Sequence, residues 1–288
     1  MEIPELYKYT SLHVARIVLE TGRIRWSSPR VLNDPSEFKL VPTDHGLREN
    51  LIEHSLGEAW KVFSGESHPV TKYGQLLRAL GEKTKFSKSQ FLENFEAAIS
   101  ESVDSHLNNE PAFISELHDM MARDKILCLT DDPKNPVMWA HYAGNGSGVI
   151  LGFRSIKLFD SPYFEARPVH YAARRPTIYT EEELAKTIGG SFSIDVFEAA
   201  RRISHTKLDR WSYEREWRIY SGGGRFPDKE SEDLAFHPQE LAKVVFGYQC
   251  PADERVELTE LARKKYDSVE FLEAQVSPYG DILLVNIN

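Results

Sequence analysis

WSYEREWRIY, residues 211–220, is the stretch that carries the strongest β-strand signal in the chain. Successive side chains of a strand point to opposite faces, so its alternation predicts that Glu214, Glu216 and Arg218 share one face. Two carboxylates placed in this way lie about 7 Å apart, repel each other modestly and are not required for folding. The stretch therefore predicts a strand of a β-rich core and marks its acidic face as a candidate functional surface. The alternative is a solvated face whose acids are neutralised by neighbouring cations.

The segments around this strand alternate between further strands and short helices. Extended runs are predicted at LYKYTS, IRWSS, KILCLT, VILGF, ARPVHYA, KVVFGYQC, VEFLEAQV and DILLVNIN. Ser11 and Gly22 are suited to begin and end a helix, and Thr180 with Glu183 has the pattern of a capping box. Strands in mixed order, with helices gathered in insertions, predict an α+β fold with a mixed, mainly antiparallel β core.

A long helical stretch interrupts the β-rich pattern between residues 46 and 123. Apolar residues recur there at three- and four-residue spacing, among them Leu47, Leu51 and Leu56. NNEP, residues 108–111, predicts a turn inside it. Because strand patterns flank this stretch on both sides, we interpret the chain as a single α+β domain over residues 1–288 with a helical insertion at 46–123.

Length and cysteine content restrict the class of protein. A chain of 288 residues can bury a full hydrophobic core without disulfides or metals. Cys128 and Cys250 lie far apart and have no Cys or His at ligand spacing, so we expect neither a disulfide framework nor a metal site. The first residues do not form a signal-peptide pattern, and no eighteen apolar residues run together, so we expect a cytoplasmic protein without a membrane span.

The charge balance bears on nucleic-acid binding. A formal net charge of −9 argues against a large nucleic-acid surface, which requires an excess of Lys and Arg. A local basic patch at Arg201, Arg202, Lys207 and Arg210 leaves such contact open. Clusters of this size are usually solvated, and we expect the same here.

A second candidate patch is the segment NPVMWAHYAG. Asn135 and Pro136 have the residue types that begin a helix, and Trp139 and Tyr142 would share one face of it, where they can stack on a planar ligand ring. His141 can titrate near neutrality. Aromatic residues at helical spacing more often belong to a core, and that alternative stays open.

Two further patches lie near the amino end of the chain. Asn33, Asp34 and Glu37 belong to an acidic turn after a strand, which can bind a ribose hydroxyl or a cation, or can be held by its own side chains. In the early strand, alternation places Lys8 and Thr10 on one face and Tyr9 on the other, so that one face is core and the other open.

Together these patches resemble a bacterial family described as domain of unknown function 2971. The segments that carry the resemblance are LYKY, NDPSEF, MWAHYAGNGSGVILGF, YEREWRIY and KVVFGY. They span nearly the whole chain apart from the helical stretch. The family label itself does not imply an activity.

The order of elements is also similar to the ADP-ribosyltransferase core, and this likeness implies that NAD is the substrate. It implies that Glu216 holds the nicotinamide ribose and that Glu214 orients the acceptor. Tyr142 or Trp139 would flank the nicotinamide, and Lys8 or Thr10 would occupy the early-strand position. With the patches above, the candidate ligand-binding residues are Lys8, Tyr9, Thr10, Asn33, Asp34, Trp139, His141, Tyr142 and Arg218.

Three functions follow from these residues. The first is an NAD-consuming enzyme that transfers ADP-ribose to a macromolecule or hydrolyses NAD, in bacterial defence or as a toxin. The second is a non-catalytic sensor module that binds a ligand or a partner protein. The third is a metal-dependent nuclease that uses Asp34, Glu37, Glu214 and Glu216. We favour the first.

Overall fold

In the computed structural model, which describes residues 3–44 and 46–287, the chain divides into two compact units. The first comprises Met1–Glu37, Met121–Arg174 and His205–Asn288, and the second comprises Phe38–Met120 and Arg175–Ser204. Within the described ranges, no helix combines the length and the apolar character needed to cross a membrane.

The first unit is built on a large sheet. In chain order the strands are β1 (Leu6–Thr10), β2 (Arg23–Ser27), β3 (Ile126–Thr130), β4 (Val149–Phe153), β5 (Arg167–Pro168), β6 (His170–Ala172), β7 (Thr206–Leu208), β8 (Glu216–Tyr220), β9 (Ser231–Ala235), β10 (Leu241–Phe246), β11 (Glu270–Val276) and β12 (Ile282–Asn286). Its path runs β12-β11-β10-β4-β1-β3-β2-β9, with β8 paired to β3 and β5 paired to β8, while β6 and β7 form a separate parallel pair. Within the large sheet β10 and β11 are parallel and the other described pairs are antiparallel. The predicted α+β class with a mixed, mainly antiparallel sheet is therefore confirmed.

The helices follow the capping signals of the sequence. They are α1 (Leu12–Thr21), α2 (Arg48–Ser64), α3 (Lys72–Lys83), α4 (Lys88–Met121), α5 (Pro136–Tyr142), α6 (Glu181–Gly189), α7 (Val196–Ser204) and α8 (Ala252–Arg263). Ser11 caps α1, and Gly22 ends it in the left-handed conformation at φ +66°. Thr180 and Glu183 form the expected capping box of α6. These local predictions are confirmed because each depends on groups a few residues apart.

The turn predicted at NNEP is wrong, because α4 continues through Pro111. Proline removes one backbone donor from a helix interior. Next to it, the buried Glu110 accepts hydrogen bonds from the hydroxyl and the backbone N–H of Thr43, at 2.6 and 3.1 Å. Such a tertiary contact can outweigh a local preference for a turn.

The helices α2, α3 and α4 occupy the interval in which the helical insertion was predicted, and the second unit also includes Arg175–Ser204 with α6 and α7. Leu51, Phe63, Phe91 and Leu184 belong to the apolar core of this unit. The interpretation of the chain as a single domain stays a prediction.

The sheet of the first unit separates at β3. Strand β3 pairs with β8 over its full length, from Ile126 opposite Tyr220 to Thr130 opposite Glu216. In contrast, β1 and β2 each pair with β3 through one residue only, at Thr130 and at Ile126 respectively. Between these two points the ammonium group of Lys8 donates to the backbone carbonyl of Cys128 at 2.8 Å. The separation opens the sheet at the position where the candidate site lies.

Candidate functional site

A cavity of about 230 Å³ lies within the first unit, where β1, β2 and β3 separate. The residues that line it come from these strands, from the turn after β2, from α5 and from the segment around β7 and β8. Six of the predicted site residues line this cavity, namely Lys8, Tyr9, Asn33, Tyr142, Glu214 and Glu216. The convergence joins parts of the chain that are far apart in sequence.

Glu214 and Glu216 reach the cavity by a route that alternation did not predict. Strand β8 begins at Glu216, while Asp209–Glu214 is a 3₁₀ helix and Arg215 between them has φ +44°. The prediction that Glu214 lies in the strand is therefore wrong. A left-handed residue is costly without glycine, and the Arg215 side chain is held by an ion pair with Asp131 at 2.7 Å. Glu216 and Arg218 do share a face of the strand, with Arg218 Nε 2.8 Å from Glu216 Oε1.

Lys207 lies between three carboxylates. Its Nζ is 2.5 Å from Glu214 Oε2, 2.9 Å from Glu216 Oε2 and 3.0 Å from Glu37 Oε1. Its side chain is 3% exposed, and the ring of Trp211 lies 4.9 Å from the ammonium group. The expectation of a solvated basic patch is wrong for this residue. Buried lysines require such compensation, because an isolated ammonium group is costly to desolvate.

Arg218 does not line the cavity, but it contacts two of the three carboxyl groups and so belongs to the same ionic cluster. It is fully buried, and its Nη2 donates to Glu216 Oε2 at 3.1 Å and to Glu37 Oε2. The ionic cluster thus consists of two cations, Lys207 and Arg218, and three carboxyl groups, Glu37, Glu214 and Glu216. It is one positive charge short of neutrality, so a proton or the positive charge of a ligand can balance it.

The pKa values of the clustered carboxyl groups move in opposite directions. Burial opposes ionisation of Glu216, but the charges of Arg218 and Lys207 outweigh it and hold the pKa of this carboxyl well below its usual range. Burial raises the pKa of Glu37, and the charge of Glu216 adds to this against the pull of Arg218. For Lys207, burial opposes the charge, but the three carboxylates raise its pKa above the usual range. Of Glu37 and Glu216, Glu37 therefore takes up a proton more readily, and such a separation of the pKa values of neighbouring carboxyl groups is common in sites that transfer protons.

A hydrogen-bond chain connects the turn after β2 with the acid pair. Asn33 donates through Nδ2 to the hydroxyl of Tyr142, and this hydroxyl donates to Glu214 Oε1 at 2.6 Å. Burial and the hydrogen bond to Glu214 raise the pKa of Tyr142 above its usual range, so the hydroxyl keeps its proton. Asn135 positions this helix: its side chain caps α5 as predicted, and its Nδ2 donates to the Tyr213 carbonyl at 2.6 Å.

The other predicted site residues lie away from the cavity wall. Thr10 is buried at the end of β1, and Trp139 is fully buried with its ring against Tyr9. His141 is exposed. Asp34 is buried in its own turn, where its Oδ1 accepts from the backbone N–H and the hydroxyl of Ser36 at 2.9 and 2.6 Å. Trp139 is therefore a core residue, and Asp34 holds its own turn. These are the alternative interpretations that the sequence left open for the two residues.

Sequence reasoning missed the role of Lys207 at the centre of the cluster, and it named Glu37 only as part of the acidic turn and as a nuclease candidate. Glu37 follows Asp34 by three residues, and its backbone N–H donates to the Asp34 carbonyl at 3.1 Å, so the acidic turn was a usable signal. Lys207 gave no such signal, because it stands among other cations in the sequence. Within residues 3–44 and 46–287, no group of three or more His, Cys, Asp or Glu side chains has an arrangement that could hold a metal ion.

Comparison with known proteins finds a family match, which covers part of the site. Neither a curated protein nor a solved structure matches the chain. A family model matches residues 138–219, an interval that includes Tyr142, Lys207, Glu214, Glu216 and Arg218. The segment that carries most of the ionic cluster is therefore similar to the family described as Protein of unknown function (DUF2971).

Proposed function

We propose that the chain is an NAD-consuming enzyme, which transfers ADP-ribose to a macromolecule or hydrolyses NAD. The observation that supports it is the convergence of Glu214 and Glu216 with Lys8, Asn33 and Tyr142 on one cavity. In this chemistry the bond between nicotinamide and ribose breaks while positive charge develops on the ribose. Carboxylates beside that charge lower the energy of the transition state.

The charges around the cavity suit a ligand that carries both signs. The ionic cluster is one positive charge short, which favours the pyridinium ring of NAD and the cation that forms from its ribose. Lys8 also lines the cavity and suits the phosphate next to the ribose, whereas Arg25 is already paired with Asp233. Because ligand pockets typically measure about 300–1,000 Å³, the cavity of about 230 Å³ suits the nicotinamide riboside end and leaves the remainder of NAD outside it.

The hydrogen bonds suggest separate roles for the two acids. Both oxygens of Glu216 accept from Lys207 or Arg218, so Glu216 supplies fixed negative charge beside the ribose. Glu214 accepts on one oxygen from the neutral hydroxyl of Tyr142, a partner that a ligand or acceptor hydroxyl can replace. In hydrolysis, water attacks the anomeric carbon, nicotinamide leaves with the electron pair of the broken bond, and Glu214 accepts the proton of the water.

The test is release of nicotinamide by the purified full chain, measured by chromatography with and without bacterial lysate as a source of acceptors. We expect Glu216→Gln and Glu214→Gln to abolish release. The matched control Glu260→Gln removes an exposed carboxylate and keeps the activity. Because both acids are buried, thermal unfolding is measured for each variant, and Tyr142→Phe tests the same site with a smaller change. A wild-type preparation that never releases nicotinamide, with or without lysate, removes the proposal.

The wider proposal includes a cytoplasmic setting in bacterial defence or as a toxin, a macromolecular acceptor and no metal. It predicts that expression slows the growth of a bacterial host and that Glu216→Gln relieves this effect. It also predicts that a chelator leaves nicotinamide release unchanged. Activity on nucleic acid that disappears on chelation would instead identify the nuclease.

A second candidate function is a non-catalytic sensor module. The observation that favours it is the dense pairing of the ionic cluster. Lys207, Arg218 and Tyr142 hydrogen-bond five of the six carboxylate oxygens of Glu37, Glu214 and Glu216, and the sixth, Glu37 Oε1, lies 3.0 Å from Lys207 Nζ. Carboxylates paired in this way are held in place and are less available to accept a proton. This function predicts that NAD or a partner protein binds without nicotinamide release, and that Glu216→Gln does not change the effect of the protein in cells.

A further inference from the structure

A second cavity, of about 860 Å³, lies within the first unit and is lined by cations that the candidate site does not use. It is bordered by the segment before β1, the chain after β4, strand β5 and Trp217 of β8. Trp217 follows Glu216 directly, and consecutive side chains of a strand point to opposite faces. The second cavity is therefore reached from the face of β8 that Glu216 does not use.

Two guanidinium groups on its wall are held by neutral acceptors. Arg154 donates through Nε to the backbone carbonyl of Gln239 at 2.9 Å and through Nη2 to the hydroxyl of Ser268 at 3.0 Å. Arg167 donates through Nη1 to two backbone carbonyls, each at 2.9 Å. These contacts orient the planar groups without cancelling their charge. Oriented guanidinium groups of this kind suit the oxygens of a phosphate.

The negative charge near these arginines is weak or already in use. Glu5 lines the cavity, but its carboxylate accepts from Lys243 Nζ at 2.6 Å and from the Tyr7 hydroxyl at 2.9 Å. Glu165 approaches Arg167 only to 3.5 Å, and its side chain is 76% exposed. An exposed pair of this type contributes little. The cavity wall therefore keeps a net positive charge in a chain whose formal net charge is −9.

Lys157 is a third cation of the cavity wall, and it lies in a turn that a ring contact holds in place. It begins the 3₁₀ helix Lys157–Phe159, and the ring of Phe159 stacks on His237 with centroids 3.7 Å apart. In the part of the chain that the structure describes, the ammonium group of Lys157 has no ion pair or hydrogen bond. The turn thus presents an uncompensated charge to the same cavity as Arg154 and Arg167.

The rest of the cavity wall is apolar, and the volume of the cavity lies in the range of ligand pockets. Ile3, Pro4, Phe164 and Pro168 contribute to it, next to Trp217. Typical sites for small organic molecules measure about 300–1,000 Å³ and combine an apolar wall with a few polar groups. We propose that this cavity binds an organic phosphate of nucleotide size, with the phosphate on Arg154, Lys157 and Arg167 and the organic part against Phe164 and Pro168.

The test uses isothermal titration calorimetry of the full chain with two probes, inorganic phosphate and adenosine 5′-monophosphate. We expect saturable binding of the nucleotide, tighter than that of phosphate. The double variant Lys157→Gln with Arg167→Gln should weaken nucleotide binding at least about tenfold, which corresponds to loss of one strong contact. Arg154 is left unchanged because it also connects Gln239 and Ser268.

The matched control is the double variant Lys85→Gln with Lys88→Gln, which removes the same charge from exposed positions of the second unit and should leave binding unchanged. Three results overturn the proposal: no saturable binding of the nucleotide, a nucleotide affinity no higher than that of phosphate, or an affinity that the Lys157 and Arg167 changes do not alter. The third result would place the nucleotide elsewhere, including at the first cavity. The outcome is independent of nicotinamide release, so the two proposals fail or succeed separately.

Discussion

Replacement of Lys207 by methionine tests whether the ionic cluster stabilises the first unit. The change keeps most of the side-chain volume and removes a cation that lies within 3.0 Å of three carboxylate oxygens. At an effective dielectric constant of about 20, a contact at 3 Å is worth roughly 5–6 kcal/mol before desolvation is subtracted. Removal of one partner from a buried pair typically costs about 3–5 kcal/mol. Because Lys207 has three partners and is 3% exposed, we expect about 5 kcal/mol.

The expected pH dependence follows from the directions of the pKa shifts. The pKa of Lys207 is raised above its ordinary 10.5, so its contribution is fully present below pH 10.5 and is lost only as the pH rises through the folded-state value. The pKa of Glu216 is lowered below its ordinary 4.5, so its contribution is present above pH 4.5 and is lost as the pH falls through the folded-state value. In Lys207→Met the buried carboxylates lack their cation and are protonated more readily. The deficit relative to wild type should therefore shrink between pH 8 and pH 5.5.

The assay is urea unfolding followed by tryptophan fluorescence, since four of the five tryptophans, Trp26, Trp139, Trp211 and Trp217, belong to the first unit. The matched control is Lys243→Met, which breaks ion pairs of Lys243 with Glu5 and Glu270 in which all side chains are at least 25% exposed. It should cost less than about 1 kcal/mol.

A second variant keeps the Lys207 prediction testable if Lys207→Met does not fold. Lys207→Arg retains the charge and should lose less stability than Lys207→Met, although the larger group costs about 1–3 kcal/mol of overpacking. A loss below about 1 kcal/mol for Lys207→Met at pH 8, equal to that of Lys243→Met, would refute the reasoning. So would a deficit that grows at pH 5.5.

Three further predictions concern local structure. Gly146→Ala should cost at least about 2 kcal/mol in urea unfolding, because φ is +84° and the new Cβ would lie 2.2 Å from the ring of Tyr248; a neutral effect would contradict this. Asn135→Ala should cost about 1–2 kcal/mol through loss of the α5 cap, and Asn135→Asp less, as thermal unfolding would measure. The hydrogen bond from Arg202 lowers the pKa of Glu183 to about 2, so this carboxylate stabilises the fold above pH 4.5 and the effect is lost as the pH falls toward 2. Glu183→Gln should flatten that part of the stability profile, and an unchanged profile would contradict the assignment.

The sequence predicted those features that depend on neighbours along the chain. The cap of α5 at Asn135 and the closure of α1 at Gly22 follow from residue type and spacing of a few positions, and both are observed. The α+β class followed from the order of strand and helix patterns. In each of these features, local backbone chemistry decides the outcome.

Features that depend on distant contacts were beyond local reasoning. Alternation placed Glu214 in a strand, but the left-handed Arg215, held by Asp131, separates Glu214 from β8, which begins at Glu216. The burial of Lys207 depends on Glu37, 170 positions earlier in the sequence. The acid pair and Tyr142 converge on one cavity, although the backbone brings Glu214 there by a different route from the predicted strand.

The origin of the ionic cluster in distant segments has a consequence for the order of folding. Glu37 and Arg218 are 181 residues apart, and the whole of the second unit's chain lies between them. Closing a loop of this length is entropically costly, and contacts of large sequence separation slow the folding rate. Helices with local contacts can form first, whereas the acids of the cavity acquire their cations only when the early and late parts of the polypeptide have joined. During synthesis on the ribosome this site therefore cannot assemble before Arg218, residue 218 of 288, has emerged.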